Sequence, residues 1–147
     1  MQGFNVQANY RFLKWFSLGA NAGYRYRKTD AEPSKNLYVY LTHSNIPALN
    51  ASVTLSATML ETVYISGKIY SIGLNRDLIS SKLNLGLSYR YVDYRFPSAE
   101  TPLRQSMAEL NLGWHPVKKI SVSLNVEGTF EKSRNYERVY INLIKRF

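Results

Sequence analysis

Residues 120–131, ISVSLNVEGTFE, decide the fold class, because apolar residues or glycine occupy every second position and polar residues fill the positions between them. Successive side chains of a β-strand point to opposite faces, so this alternation gives one apolar face and one polar face. A soluble sheet turns its apolar face inward, whereas a membrane barrel turns it outward, towards lipid. The alternation alone leaves both directions open.

The composition restricts the function classes. The 147 residues suffice for one domain, residues 1–147. The net charge is +9, but Lys and Arg are dispersed with no block of five like charges, which argues against a nucleic-acid partner. The absence of Cys excludes disulfides and thiolate metal sites.

No apolar run reaches the roughly 18 residues of a transmembrane helix. The first residues lack a signal-peptide pattern, so an exported protein would be represented here in its mature form or by a fragment.

Nine segments follow the two-residue period, and no window shows a sustained helical period. They are residues 4–12, 16–27, 36–42, 49–59, 62–74, 82–96, 107–115, 120–131 and 139–147. Turn formers separate them, which predicts an all-β, antiparallel, up-and-down sheet. The period slips near Ile69, which predicts a β-bulge there. The segment NLYVYLT, residues 36–42, is the shortest and least regular.

Three features favour a transmembrane β-barrel. The segments run to roughly 10–14 residues, against about 5–6 for an average soluble strand. At about 3.3 Å per residue and a tilt near 40°, they would span roughly 25–35 Å. The polar positions carry Asn, Ser, Thr, Gln and Arg rather than the dense Lys and Glu of a soluble surface. Aromatic residues mark both segment ends, as in membrane interfaces: Phe12, Trp15, Phe16 and Trp114 at one end, Tyr24, Tyr26, Tyr89 and Tyr91 at the other.

The segment VYINLIKRF resembles the C-terminal strand of bacterial outer-membrane β-barrel proteins. The matching positions are Val139, Ile141, Leu143 and the terminal Phe147, whereas Lys145 departs from the apolar pattern. The resemblance implies a location in the bacterial outer membrane and insertion by the barrel assembly machinery, with Phe147 as the assembly signal.

This interpretation assigns the two faces of the strands. The predicted lumen-facing residues are Asn9, Arg11, Asn21, Arg25, Asn50, Ser52, Thr54, Asn84, Arg90, Glu109, Asn111, Asn125, Glu127 and Asn142. The predicted lipid-facing residues are Leu18, Val53, Leu55, Leu85, Leu87, Leu110, Leu112, Val122, Leu124, Ile141 and Leu143.

The number of strands leaves two interpretations open. Single-chain barrels usually have an even number of strands and both termini in the periplasm. Nine strands that end at a periplasmic Phe147 would begin outside the cell. Either the chain is the C-terminal part of a larger barrel, which we favour, or NLYVYLT is not a strand and eight strands remain.

No residue pattern predicts catalysis, a cofactor or a metal. His43 and His115 lie near turns and lack a nucleophile at motif spacing, so we expect no enzyme. Asp30, Glu32, Asp93 and Glu100 are interpreted as solvated loop carboxylates rather than a cation site.

The basic residues near segment ends have three interpretations. Arg25, Arg27 and Lys28, together with Arg90 and Arg95, would contact lipopolysaccharide phosphates or form a lumenal ring that favours anions. The third interpretation, which we prefer for most of them, pairs lumenal Arg with carboxylates, because an unpaired charge in a narrow lumen is costly. The candidate carboxylates are Glu109, Glu127 and Glu131.

The predicted function is a porin-like or receptor-like transport or channel barrel, or the C-terminal part of one. Its predicted partners are outer-membrane lipid including lipopolysaccharide, the barrel assembly machinery, and further strands or subunits. Two alternatives remain: a structural or assembly barrel that anchors an envelope complex, and a soluble β-barrel that binds an apolar ligand.

Overall fold

The computed structural model describes residues 2–29, 32–47, 49–79, 82–99, 101–117, 119–132 and 134–145. They form nine β-strands, in line with the long alternating segments. The strands are β1 (Gln2–Leu13), β2 (Phe16–Tyr26), β3 (Ser34–Ile46), β4 (Ala51–Glu61), β5 (Ser66–Leu78), β6 (Leu83–Arg95), β7 (Leu103–Val117), β8 (Ile120–Glu131) and β9 (Asn135–Lys145). No helix in the described residues is long and apolar enough to cross a membrane.

All nine strands belong to one antiparallel sheet, and their order in the sheet follows the chain. The predicted all-β, up-and-down arrangement is therefore confirmed. The sheet is open, because β1 pairs only with β2 and β9 only with β8. The described strands do not close into a barrel.

Strand β3 overturns the eight-stranded interpretation. It runs for 13 residues and pairs along its length with both β2 and β4. Its alternation is weak in the sequence because Tyr38 and Tyr40 occupy the polar side, where other strands carry Asn, Ser or Thr. A tyrosine fits a pleated surface on either face, so the letters alone do not show the period.

The predicted β-bulge near Ile69 is also wrong. Strand β5 pairs with β4 and β6 without a register shift. Residues 62–65 form a turn instead, in which the Thr62 hydroxyl oxygen accepts hydrogen bonds from the backbone N–H groups of Tyr64 (3.2 Å) and Ile65 (3.0 Å). The apparent slip arose because this turn was counted as strand, and Ile69 simply lies on the polar side.

The loops differ between the two ends of the sheet. One end, the short-loop end, carries loops 14–15, 47–50, 79–82 and 118–119; the other, the long-loop end, carries loops 27–33, 62–65, 96–102 and 132–134. Asn50 lies in a short loop with φ of 49° rather than in a strand. Asparagine tolerates this left-handed conformation better than most residues do, which suits it to the turn before Ala51.

The strand ends shift steadily across the sheet. One row of directly paired residues crosses the sheet from Ala8 of β1 through Tyr70 and Tyr91 to Asn135 of β9. On β1 this row lies six residues from the long-loop end of the strand, and on β9 it lies at the first residue. Six residues over eight strand steps correspond to a strand tilt of about 27° at about 3.3 Å per residue and 4.8 Å between strands. A stagger of one sign is what closing a sheet into a barrel requires, where tilts are about 35–45°.

The described strands bury very few hydrophobic side chains. Among the described residues, Ala51 and Val92 are the buried hydrophobic ones, 3% and 5% exposed. A soluble domain stacks two or three layers of secondary structure to bury apolar faces. The described residues form one layer, so both faces of the sheet are available to a surrounding medium.

Candidate functional site

The register sorts the side chains into an apolar face and a polar face that stay separate across the whole sheet. One row of the apolar face joins six successive strands through Val53, Leu74, Leu87, Leu110, Val126 and Val139. The next row includes Leu85, Leu112, Leu124 and Ile141. All eleven residues predicted to face lipid lie on this face.

The apolar face is uncovered even in the middle of the sheet. Leu55, Ile72 and Leu87 lie on interior strands, yet each is about 46% exposed. Monomeric soluble proteins rarely expose apolar patches larger than a few hundred Å². Larger exposed patches mark contacts with another protein or with a membrane.

The polar face carries hydrogen bonds between strands. Tyr40 of β3 donates to Asn9 Oδ1 of β1 across Gly19 of β2 (2.8 Å), and the hydroxyl oxygens of Ser56 and Ser71 on neighbouring strands lie 2.7 Å apart. Asn84 donates to Asp77 Oδ1 at 2.8 Å. Thirteen of the predicted lumen-facing residues lie on this face, and Asn50 lies in the turn beside it. Its partnered polar groups suit a surface that meets water or another polar layer.

The carboxylates of the polar face bind neutral donors. Glu109 accepts hydrogen bonds from Asn111 (3.0 Å), Asn125 (3.4 Å) and Ser88 (3.4 Å). Glu131 accepts one from the Gln105 amide. The described residues show no ion pair between an arginine and any of the three predicted partner carboxylates, Glu109, Glu127 and Glu131, although Glu127 lies opposite Arg138 in the register. The described residues therefore do not show the preferred pairing, which stays a prediction.

Glycines on the polar face leave room for tyrosines of the adjacent strand. A Cβ on Gly19 would lie 2.2 Å from Tyr40 Cε1, and one on Gly67 would lie 2.1 Å from Tyr94 Cδ1. Each pair is directly opposed in the register. Each tyrosine ring covers the backbone of the opposed glycine, an arrangement that stabilises glycine in curved sheets.

Six of the seven charged residues on the apolar face of β3 to β7 lie at the long-loop end, and Arg76 is the seventh. The charged band comprises Lys35, Glu61, Lys68, Asp93, Arg95 and Arg104, which terminate the apolar face of β3 to β7 at the long-loop end. It contains two ion pairs, Lys35–Glu61 (3.6 Å) and Arg104–Asp93 (3.4 Å). Each member of the band is in phase with the apolar positions of its own strand, but the members come from five strands and become neighbours only through the register.

The remaining predicted positions are dispersed. His43 lies on the apolar face against Phe16, with ring centroids 4.3 Å apart, whereas His115 lies on the other face of β7. Asp93 lies in β6 rather than in a loop. Glu32, Arg27 and Lys28 lie in loop 27–33, whereas Asp30, Glu100 and Phe147 lie outside the described residues.

The described residues contain no group of three or more His, Cys, Asp or Glu side chains that could hold a metal ion.

Aromatic pairs lie near both ends of the sheet. Phe12 stacks on Phe16 at the short-loop end, and Phe4 stacks on Tyr24 at the long-loop end, each with centroids 5.6 Å apart. This arrangement borders the leucine-rich middle of the apolar face on two sides.

Comparison with known proteins adds no further assignment: no protein-family model, curated protein or solved structure matches this chain.

Proposed function

We propose that this chain forms part of the wall of a bacterial outer-membrane β-barrel with a porin-like or receptor-like transport function. Its apolar face contacts lipid and its polar face lines the lumen. The observation that carries the proposal is the exposure of Leu55, Ile72 and Leu87, about 46% each on interior strands of a single-layer sheet.

The exposed apolar surface supports a lipid neighbour. Besides these leucines and isoleucine, every strand carries at least one exposed aromatic or aliphatic side chain, among them Tyr10, Met59 and Ile141. Water would penalise this surface at about 25 cal/mol per Å² of apolar area. Hydrocarbon carries no such penalty. It offers no hydrogen-bond partners to the backbone, but the backbone N–H and C=O groups of the interior strands are paired with neighbouring strands.

The strand directions support further strands in the barrel. Eight successive antiparallel pairs make β1 and β9 run the same way, so these two edges could join each other only as a parallel pair. Closing the barrel in the antiparallel manner requires an odd number of additional strands. An edge left open in hydrocarbon would cost several kcal/mol for each unsatisfied backbone group.

The scaffold alternative has one observation in its favour. Tyr40 and Tyr94 lie across Gly19 and Gly67 and occupy space on the proposed lumenal side. A narrowed or filled lumen fits an anchoring barrel better than an open channel.

Two measurements test the proposal. We expect the purified chain to be monodisperse only with detergent or lipid, and to give stepwise conductance in planar bilayers once its edges are paired. A chain that is folded and monodisperse in plain buffer would remove the membrane assignment. Insertion without conductance, in the closed assembly, would favour the scaffold.

A further inference from the structure

We propose that the charged band binds the phosphate groups of anionic lipid headgroups at the long-loop end of the sheet. The inference rests on the proposed function and specifies which lipids that surface selects. It concerns Lys68 and Arg95 in particular, supported by Arg104 and Asp93.

The position of the band matches the order of layers in a membrane. Along β5 the apolar face runs from Leu74 and Ile72 to Tyr70 and then Lys68. Tyr91 lies opposite Tyr70, so tyrosines separate the leucine-rich middle from the charges. Amphipathic rings settle at the headgroup level, and charged groups belong just beyond it.

The band is specific to one end of the sheet. At the short-loop end of the same five strands, the last paired residues on the apolar face are Ile46, Ala51, Leu78, Leu83 and Val117, and Arg76 is the cation there. Ordinary solvation of strand ends would charge both ends alike. The asymmetry points to different surroundings at the two ends.

The charge balance of the band leaves cations available for a ligand. Its four cations face two carboxylates, and the two ion pairs use Lys35 and Arg104. Lys68 and Arg95 have no ion-pair partner among the described residues. Lys68 lies opposite Asp93, two residues before Arg95 on the neighbouring strand, so Lys68 and Arg95 are diagonal neighbours whose Cα atoms are about 7–8 Å apart.

This spacing suits one phosphate group held from two sides. An arginine fork binds two phosphate oxygens, and a lysine supplies a mobile point charge. Asp93 lies between the cations and pairs with Arg104, which fixes that arginine beside the site. The neighbouring carboxylate limits the number of phosphates that the band accepts.

The test uses the full chain reconstituted in vesicles, with fluorescently labelled phosphatidylglycerol or phosphatidylcholine as the probe. The variant is Lys68→Gln/Arg95→Gln. The matched control, Arg11→Gln/Arg138→Gln, removes the same charge from the polar face. We expect the preference of the wild type for phosphatidylglycerol to fall about 25-fold in the variant and to persist in the control. That is about fivefold for each cation, or about 1 kcal/mol.

Other outcomes overturn the inference. Equal losses in variant and control would show a general charge effect, and competition by millimolar inorganic phosphate would identify free phosphate as the ligand. A wild type that inserts with no lipid preference would refute this inference and leave the proposed function standing. A chain that fails to insert even when its open edges are paired would refute both. As a second readout, the preference of the wild type should weaken from 50 mM to 500 mM salt, because salt screens exposed charges.

Discussion

An arginine at position 124 should destabilise the membrane-inserted protein far more than an arginine at position 125. Leu124 pairs with Leu112 and Ile141 on the apolar face, whereas Asn125 lies on the polar face between Asn111 and Tyr140. Leu124 is the fifth residue of β8. It therefore lies about 10–12 Å from the short-loop end along the membrane normal, near the middle of an apolar band about 25 Å tall.

The magnitude follows from this depth. Arginine on the lipid face costs about 2–4 kcal/mol at the bilayer midplane and about 0–1 kcal/mol near the interface. Leu124→Arg should therefore lose about 2–4 kcal/mol. Asn125→Arg gives up a hydrogen bond of 3.4 Å to Glu109 but brings a cation to that carboxylate, so we expect a change of less than about 1 kcal/mol.

The assay is urea unfolding of the protein reconstituted in vesicles, followed by tryptophan fluorescence. Ile120→Arg is the matched control, because position 120 lies on the same face at the end of β8. An arginine near the membrane interface costs little free energy. A water-excluding protein layer over the apolar face would penalise Ile120→Arg and Leu124→Arg alike. Equal unfolding midpoints for Leu124→Arg and Asn125→Arg would refute the assignment of the faces.

Three further predictions concern packing, assembly and closure. Gly67→Ala should lower stability by roughly 1–3 kcal/mol because the new Cβ would meet the tyrosine ring at 2.1 Å, whereas Gly73→Ala, whose Cβ meets nothing nearer than 3.9 Å, should be neutral or stabilising in the same urea titration. Deleting Phe147 should lower the amount of protein in the outer membrane of cells more than it lowers the stability of refolded protein; unchanged cellular levels would argue against an assembly signal. Cysteines at Val6 and Ile141 and in neighbouring registers should form no intrachain disulfide in monomers, because β1 and β9 are open edges that run the same way; efficient cross-linking would show that the chain closes on itself.

The faces of the strands could be predicted from the sequence because a strand has a fixed period of two. The alternation of Leu83, Leu85 and Leu87 with Asn84 and Gly86 needs no tertiary information. The register then keeps each set on one side. A shift of one residue between two strands would have mixed them.

The prediction failed where a local pattern has two interpretations. Val63 and Ile65 resemble strand residues, but the Thr62 hydroxyl organises them as a turn. In β3, tyrosines on the polar side hid the period. Asn50 continued the alternation of β4, yet it provides the left-handed residue of the preceding turn.

The charged band and the open edges lay beyond single-strand reasoning. Lys68 and Asp93 are 25 positions apart in sequence and become neighbours only through the register of β5 and β6. Sheet closure depends on what lies beside β1 and β9, which no pattern within a strand specifies. The hydrogen bond that Asn125 donates to Glu109 was missed for the same reason, because the two residues come from different strands.

The most direct test of the central claim is the accessibility of neighbouring positions on an interior strand of the reconstituted protein. Leu87 lies on the apolar face of β6 and is 45% exposed, and Ser88 lies on the polar face. A nitroxide label attached to a cysteine at each position reports collisions with oxygen, which concentrates in lipid, and with a water-soluble nickel complex. We expect the label at position 87 to collide mainly with oxygen and the label at position 88 mainly with the nickel complex. Reversed preferences, or equal ones, would contradict this expectation.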